Sequence, residues 1–163
     1  MPKTFVLSLF VAFASQLAYE APKEWTPSPS TSSMRLAQWR VGSSSEVVIF
    51  YFGAGQGGGV EANLERWYAQ FTQPDGTPTR ERAQVRKMKV GNLDITRADV
   101  SGTYVAPVRP GASERHDEKD YRMIAAVVEG PSGPWFIRFL GPQAEVSAAE
   151  ASFDAFLTSL RIP

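Results

Sequence analysis

The 163-residue chain is 43% hydrophobic and 21% charged, the proportions of a globular chain with a core of its own. Its 17 basic and 17 acidic residues cancel, which argues against nucleic acid as a partner, because a phosphate-tracking protein carries a basic face or tail. Cysteine is absent, and with it go disulfides, thiol nucleophiles, cysteine metal sites and a lipid-modified N-terminal cysteine.

The first predicted element is a secretory signal over residues 1–14. Lys3 supplies a positive region, residues 5–14 form an apolar run, and Ala12-Phe13-Ala14 has the small-x-small form of a signal-peptidase site. The run is too short for a permanent bilayer span. A buried first strand or helix of a cytoplasmic protein is the alternative, and the order of charge, apolar run and cleavage site favours the signal. Cleavage would take Lys3 from the 17 basic residues and leave 16 against 17 acidic ones. No later run is long enough for a membrane helix, so the expectation is an exported protein, periplasmic or extracellular, with one domain over residues 15–163.

A short strand is expected at residues 17–20. Prolines at positions 22, 27 and 29 then exclude a regular ladder and predict an ordered loop anchored by Trp25; a flexible linker is the other reading of this Pro/Ser-rich stretch. Residues 34–41 alternate as a strand with two mixed faces. Residues 42–45 turn the chain into a second, wholly apolar strand at 47–52, an antiparallel hairpin. A cluster of five glycines, Gly53, Gly55, Gly57, Gly58 and Gly59, leads from that strand into a helix with Val60, Leu64, Trp67 and Phe71 on one stripe. Pro74-Asp75-Gly76 ends the helix.

Residues 80–88 read as an exposed strand with Val85 and Ala83 inward and its charges outward; a polyanion patch is the sharper alternative. A Gly91-Asn92 turn leads into a strand over 93–105, with a bulge expected at Ser101-Gly102. Residues 106–120 are polar and break-rich, and predict a long, mobile loop. Two strong strands, 121–128 and 135–140, form a hairpin. The final helix is expected to start at Ser147, with Glu150 completing a capping box. Phe153, Phe156, Leu157 and Leu160 follow at helical spacing, and burying them is worth about 6–12 kcal/mol gross. The sum is an α+β domain: an antiparallel sheet of six or seven strands flanked by helices.

The glycine cluster carries the sharpest chemical pattern. Gly53, Gly55 and Gly58 spell G-x-G-x-x-G between strand and helix, as in dinucleotide sites. The continuation is wrong for that fold, because no parallel strand ending in an acidic residue follows the helix. The glycines are therefore read first as a packing device. An anion or ligand site at the helix N-terminus, using Gly55, Gly57, Gly58, Gly59 and Asn63, is the alternative. His116, the one histidine, lies in a polar loop without a nucleophile motif, and the acids beside it lack calcium or zinc spacing. No catalytic residue, metal or cofactor is indicated. A cleft lined by Trp25 and Tyr104 is the remaining binding hypothesis.

Two motifs tie these elements together. Glu20-Ala-Pro-Lys-Glu-Trp25 opens the domain with P-x-x-W, and Phe153-Asp-Ala-Phe-Leu-Thr-Ser-Leu160 closes it with F-x-x-L-x-x-S-L. With the order of elements between them, the chain resembles the Mog1/PsbP-like fold over most of residues 17–163; the glycine-rich turn is not part of that pattern. The resemblance implies an α/β/α sandwich and a non-enzymatic accessory or binding role toward a protein or cell-envelope partner. It transfers no catalytic residue. The competing class is a small-molecule or anion-binding protein, or a small hydrolase, using the Gly53–Gly59 turn.

Overall fold

Two long strands, β6 (Leu93–Tyr104) and β7 (Glu118–Glu129), lie side by side in one antiparallel sheet in a computed structural model that describes residues 16–30 and 32–163. The predicted signal segment lies outside the described residues. Around the long strands are β1 (Thr26–Pro27), β2 (Arg35–Val41), β3 (Ser45–Phe50), β4 (Phe71–Thr72), β5 (Gln84–Val90) and β8 (Trp135–Pro142), in the order β1-β2-β3-β8-β7-β6, with β4 and β5 both pairing the outer side of β6. Three helices complete the described chain: α1 (Val60–Tyr68), α2 (Thr79–Arg82) and α3 (Gln143–Thr158).

Alternation along β7 sorts the core into two layers, since neighbouring side chains on a strand face opposite ways. Ile124, Ala126 and Val128 join Trp25, Trp39, Val47, Ile49, Ile137 and Phe139 against Phe153, Phe156 and Leu157 of α3. Met123, Ala125 and Val127 face the other way, with Phe136, Leu140, Phe71 and Tyr104, and meet Leu64 and Trp67 of α1. The domain is thus an α+β fold of α/β/α layering. Val47, Val48 and Ile49 are all fully buried, because β3 lies inside the sheet between β2 and β8 and is covered on both faces.

Both hairpins appear as expected, β2 with β3 and β7 with β8. So does the break in register near Gly102. Gly102 sits at φ +145°, and a Cβ there would lie 2.6 Å from the Thr72 carbonyl oxygen; its bare backbone lets β4 close onto β6.

Other boundaries differ. The strand expected at 17–20 is a single bridge, Ala18 to Arg161. Pro27 does join a ladder, as half of the two-residue edge strand β1, where a missing N–H is tolerated. α1 ends at Tyr68, so Phe71 is buried from a strand instead of from the helix stripe. Residues 79–82 make one helical turn, and Val85 on β5 is exposed, not inward. β5 is an edge strand on the outer side of β6, and no further strand pairs with it among the described residues. The 106–120 loop gives its last three residues to β7 and carries its own bridge between Pro107 and Arg115.

α3 begins at Gln143, about a turn before Ser147. Pro142 already ends β8 and starts the helix. The Ser147 hydroxyl accepts from Arg122 (3.0 Å), and Glu150 is drawn to Arg97 and Arg122 instead of closing a capping box.

Candidate functional site

α1 has nine residues, a rod of about 13 Å, too short to roof the whole of its sheet face. The loop that follows Tyr104 covers another part. Between them lies a cavity of ≈ 710 Å³ whose floor is Phe50, Leu140, Tyr104 and Tyr121. Arg35 comes from β2, Glu46 from β3, Arg66 and Gln70 from α1 and its exit, Arg109 and His116 from the loop, Glu118 and Tyr121 from β7, and Arg138 from β8. Four guanidiniums therefore face two carboxylates. The volume falls in the range of small-molecule sites, which combine apolar walls with a few polar groups.

The polar groups are held in place. Arg138 Nη2 donates to Glu46 Oε1 at 3.1 Å, and Arg35 Nη1 stands 3.8 Å from the other Glu46 oxygen. Both guanidinium carbons lie over the Phe50 ring, at 5.4 Å for Arg35 and 5.5 Å for Arg138. Tyr104 stacks between His116 (5.0 Å) and Tyr121 (5.9 Å). Two buried atoms of this lining make no hydrogen bond to a described residue: Arg138 Nε and Gln70 Oε1. Both atoms are closed off from solvent, so each carries a desolvation cost within the wall of the cleft.

Burial raises the Tyr104 phenol above its ordinary value; Arg138 opposes this and Glu46 adds to it. Burial, then Glu118, Glu145 and Tyr104, raise Tyr121 as well. Both phenols are therefore donors at neutral pH. A raised phenol keeps its full stability contribution below the unfolded value and loses it as pH climbs through the folded one. Unfolding free energy is thus expected to hold up to about pH 10 and fall above it, and Tyr104→Phe is expected to flatten the fall in urea titrations across that range.

The residues singled out from sequence fall in three places. Tyr104 is in the cleft. Trp25 is not: it is buried in the α3 layer, on the opposite face of the sheet, so the two cannot line one cleft. Trp25 is the loop anchor, ringed by Trp39, Phe139, Phe153 and Phe156.

The glycine turn is the third place. Asn63 is buried, and its amide donates to the carbonyls of Gly57 (3.1 Å) and Gly59 (2.8 Å) while accepting from Arg66. The Gly55 N–H donates to Gly133 O at 2.8 Å. A Cβ on Gly58 would lie 3.6 Å from the Asn63 amide nitrogen, and Gly59 caps the helix with open space around it. Gly57, at φ +95°, is pressed onto the sheet: a Cβ there would lie 2.8 Å from Phe52 Cδ2 and closer still to the Phe136 ring. Gly57→Ala is accordingly expected to lower stability by about 2 kcal/mol, from strain and overpacking together, read as an earlier urea midpoint at constant slope.

The dinucleotide reading fails on topology, because every strand pair among the described residues is antiparallel. No group of three or more His, Asp or Glu among the described residues is placed to hold a metal ion. No described helix is long and apolar enough to cross a membrane. Compared with known proteins, the chain matches no protein-family model and no curated sequence.

From the sequence alone Gln70 reads as an ordinary boundary residue of the helix stripe, and the arginines of the cleft do not stand out. They come from separate elements and share no spacing. The one available signal was Arg138, a lone cation inside the apolar run of β8.

Proposed function

We propose that this protein is an exported accessory domain of the Mog1/PsbP-like type that binds a ligand in the cleft beside α1 and does not transform it. The single observation behind the binding role is the concave cleft of ≈ 710 Å³, with Phe50 and Leu140 in its floor and arginines from β2, β8, α1 and the loop around it. Binding rather than turnover fits its chemistry: Arg138 and Glu46 neutralise each other, and Tyr104 is held as a protonated donor instead of a base. The family reading is supported by contact between its two motifs. Trp25 of the P-x-x-W opening lies 5.2 Å from Phe156 of the closing helix, and the Glu20 N–H donates to Ser159 Oγ at 2.9 Å. Export rests on the order of charge, apolar run and small residues in positions 1–14.

The test of binding is a thermal-shift panel of carboxylates, amines, sugars, nucleotides and divalent metals. Val108→Trp serves as the control, since Val108 lines the cleft on the loop and the larger side chain would take up part of its volume. At least one class should stabilise the parent protein, lose that effect in Val108→Trp, and remain chemically unchanged by NMR after prolonged incubation. A ligand consumed by the protein, or a flat panel, defeats the reading. Export is tested by fusing residues 1–30 to a leaderless alkaline phosphatase; activity outside the cytoplasm and a mature N-terminus at Ser15 are expected.

A further inference from the structure

The outer edges of the sheet are finished differently. On one side β1 is two residues long and contains Pro27, a blunted edge. On the other, β5 runs for seven residues with no proline and no break in its register against β6. No further strand pairs with it among the described residues. Gly91, at φ +59°, and Asn92 close a two-residue hairpin, which makes Val90 and Leu93 a hydrogen-bonded pair. Alternation from there leaves the N–H and C=O groups of Val85, Lys87 and Lys89 pointing away from β6. Such a row is a template for another strand.

The side chains restrict which strand can use it. β5 carries Arg86, Lys87 and Lys89 and no acid. A second copy paired antiparallel about Lys87 would set lysine against lysine, and like charges directly opposite are destabilising. Arg86 and Lys89 have partners at 3.4 Å in Asp154 and Asp94, while Lys87 has no ion pair among the described residues. Surface pairs of that kind are weak and exchangeable. The acids that share a groove with Lys87 and Lys89 are Asp94, Glu129 and Glu61, on β6, β7 and α1, none of them on the open edge. Val85, on the same face of β5 as these two lysines, is 43% exposed, so the edge also offers an apolar contact.

We infer that β5 is the docking edge for an extended, acidic segment of a partner protein, which adds to the sheet as a further antiparallel strand. Its carboxylates meet Lys89 and Lys87, and an apolar residue lies beside Val85. Along the partner this reads acid-x-acid-x-apolar, since side chains on one face recur at every second position. No β5 residue lines the cleft, so docking here is independent of the ligand proposed there.

Fluorescence anisotropy of a labelled, end-blocked peptide, TETETVT, tests this on the purified protein. The peptide should bind, and TKTKTVT should not. Methyl groups on the glutamate and valine amides, which face β5, should abolish binding; methyl groups on the threonine amides, which face away, should leave it within about twofold. Val85→Pro keeps every charge and removes an N–H that serves no ladder bond. It should unfold at the parent's urea midpoint yet bind about fivefold weaker or more, the scale of a lost backbone hydrogen bond. Lys87→Glu should weaken TETETVT by about fivefold and prefer TETKTVT, which the parent disfavours.

Equal binding of the two methylated peptides, or of an oligothymidylate as tight as that of TETETVT, would make β5 a surface for any polyanion and overturns strand addition. A flat titration does the same. Val108→Trp should bind the peptide as the parent does; a loss there would place the peptide in the cleft and overturn the edge.

Discussion

Trp25→Ala is expected to lower the free energy of unfolding by about 3–5 kcal/mol, the usual cost of emptying a buried aromatic site. Against a total of about 5–15 kcal/mol this is a large fraction. Trp25 is 4% exposed and touches four rings, with centroids 5.2 Å away for Phe156, 5.8 Å for Trp39 and 6.4 Å for both Phe139 and Phe153. Those rings come from β2, β8 and α3, so the cavity would open where three elements meet. Trp25→Phe should cost only about 1–2 kcal/mol, because the indole Nε1 makes no hydrogen bond to a described residue and its loss leaves no orphan behind. Urea unfolding measures both. Equal losses for the two variants would mean that the site collapses around any smaller ring.

The second large effect concerns charge inside the sheet. Arg97, 4% exposed, donates from Nε to Asp154 Oδ1 at 2.9 Å and from Nη2 to Glu150 Oε1 at 3.0 Å. Its neighbour Arg122 is tied to Asp99 at 2.6 Å and to Glu150 at 2.9 Å. The Asp99 hydrogen bonds raise the Arg122 guanidinium above its ordinary value, against desolvation. Arg97→Met should destabilise by about 2 kcal/mol, from the loss of two charge-assisted hydrogen bonds with the volume kept filled; Glu150 retains Arg122 and Asp154, about a third exposed, retains Arg86. Arg97→Met combined with Asp154→Leu should recover about half of that loss, because the carboxylate that accepts from Arg97 Nε is removed together with its donor. A recovery of less than a third would show that the pair contributes more than it costs to bury. Surface pairs such as Lys89 with Asp94, each 68% exposed, are expected to contribute less than about 1 kcal/mol.

These two regions differ in how visible they were beforehand. α3 announced its buried face through Phe153, Phe156 and Leu157, with Leu160 just past its end at Thr158, because helical spacing is a local signal. Its start was misplaced because Ser147 and Glu150 have the right types for a cap, while long-range attraction to Arg97 and Arg122 claims both. The charged stripe could have been found. Arg97 and Asp99 share the parity of Ile95 on β6, and Glu150 and Asp154 stand one helical turn apart. Phe71 was assigned to the helix because its spacing fits the stripe, yet pairing with Tyr104 across β4 and β6 decides its place.

The cleft was legible only through Tyr104. Its polar groups gather because β3 lies against β8 and the loop after β6 folds back, and neither contact leaves a pattern in the sequence. Trp25 carried two readings at once, loop anchor and ligand wall. Its packing against Phe153 and Phe156 settles on the anchor.

The seam between β3 and β8 has a kinetic consequence. The β2–β3 and β7–β8 hairpins, and the β5–β6 and β6–β7 pairs, join neighbours in the chain, but Glu46 and Arg138 meet across the seam from 92 positions apart. Closing so long a loop loses entropy before any contact repays it, and chains rich in such pairings fold slowly. Two sub-assemblies, one from β2 and β3 and one from β5 to β8, are then expected to form before they meet. The mouth of the cleft spans that seam, so the binding site is assembled by the last docking step. Ligand affinity during refolding would report completion of the sheet, later than any far-ultraviolet signal of its hairpins.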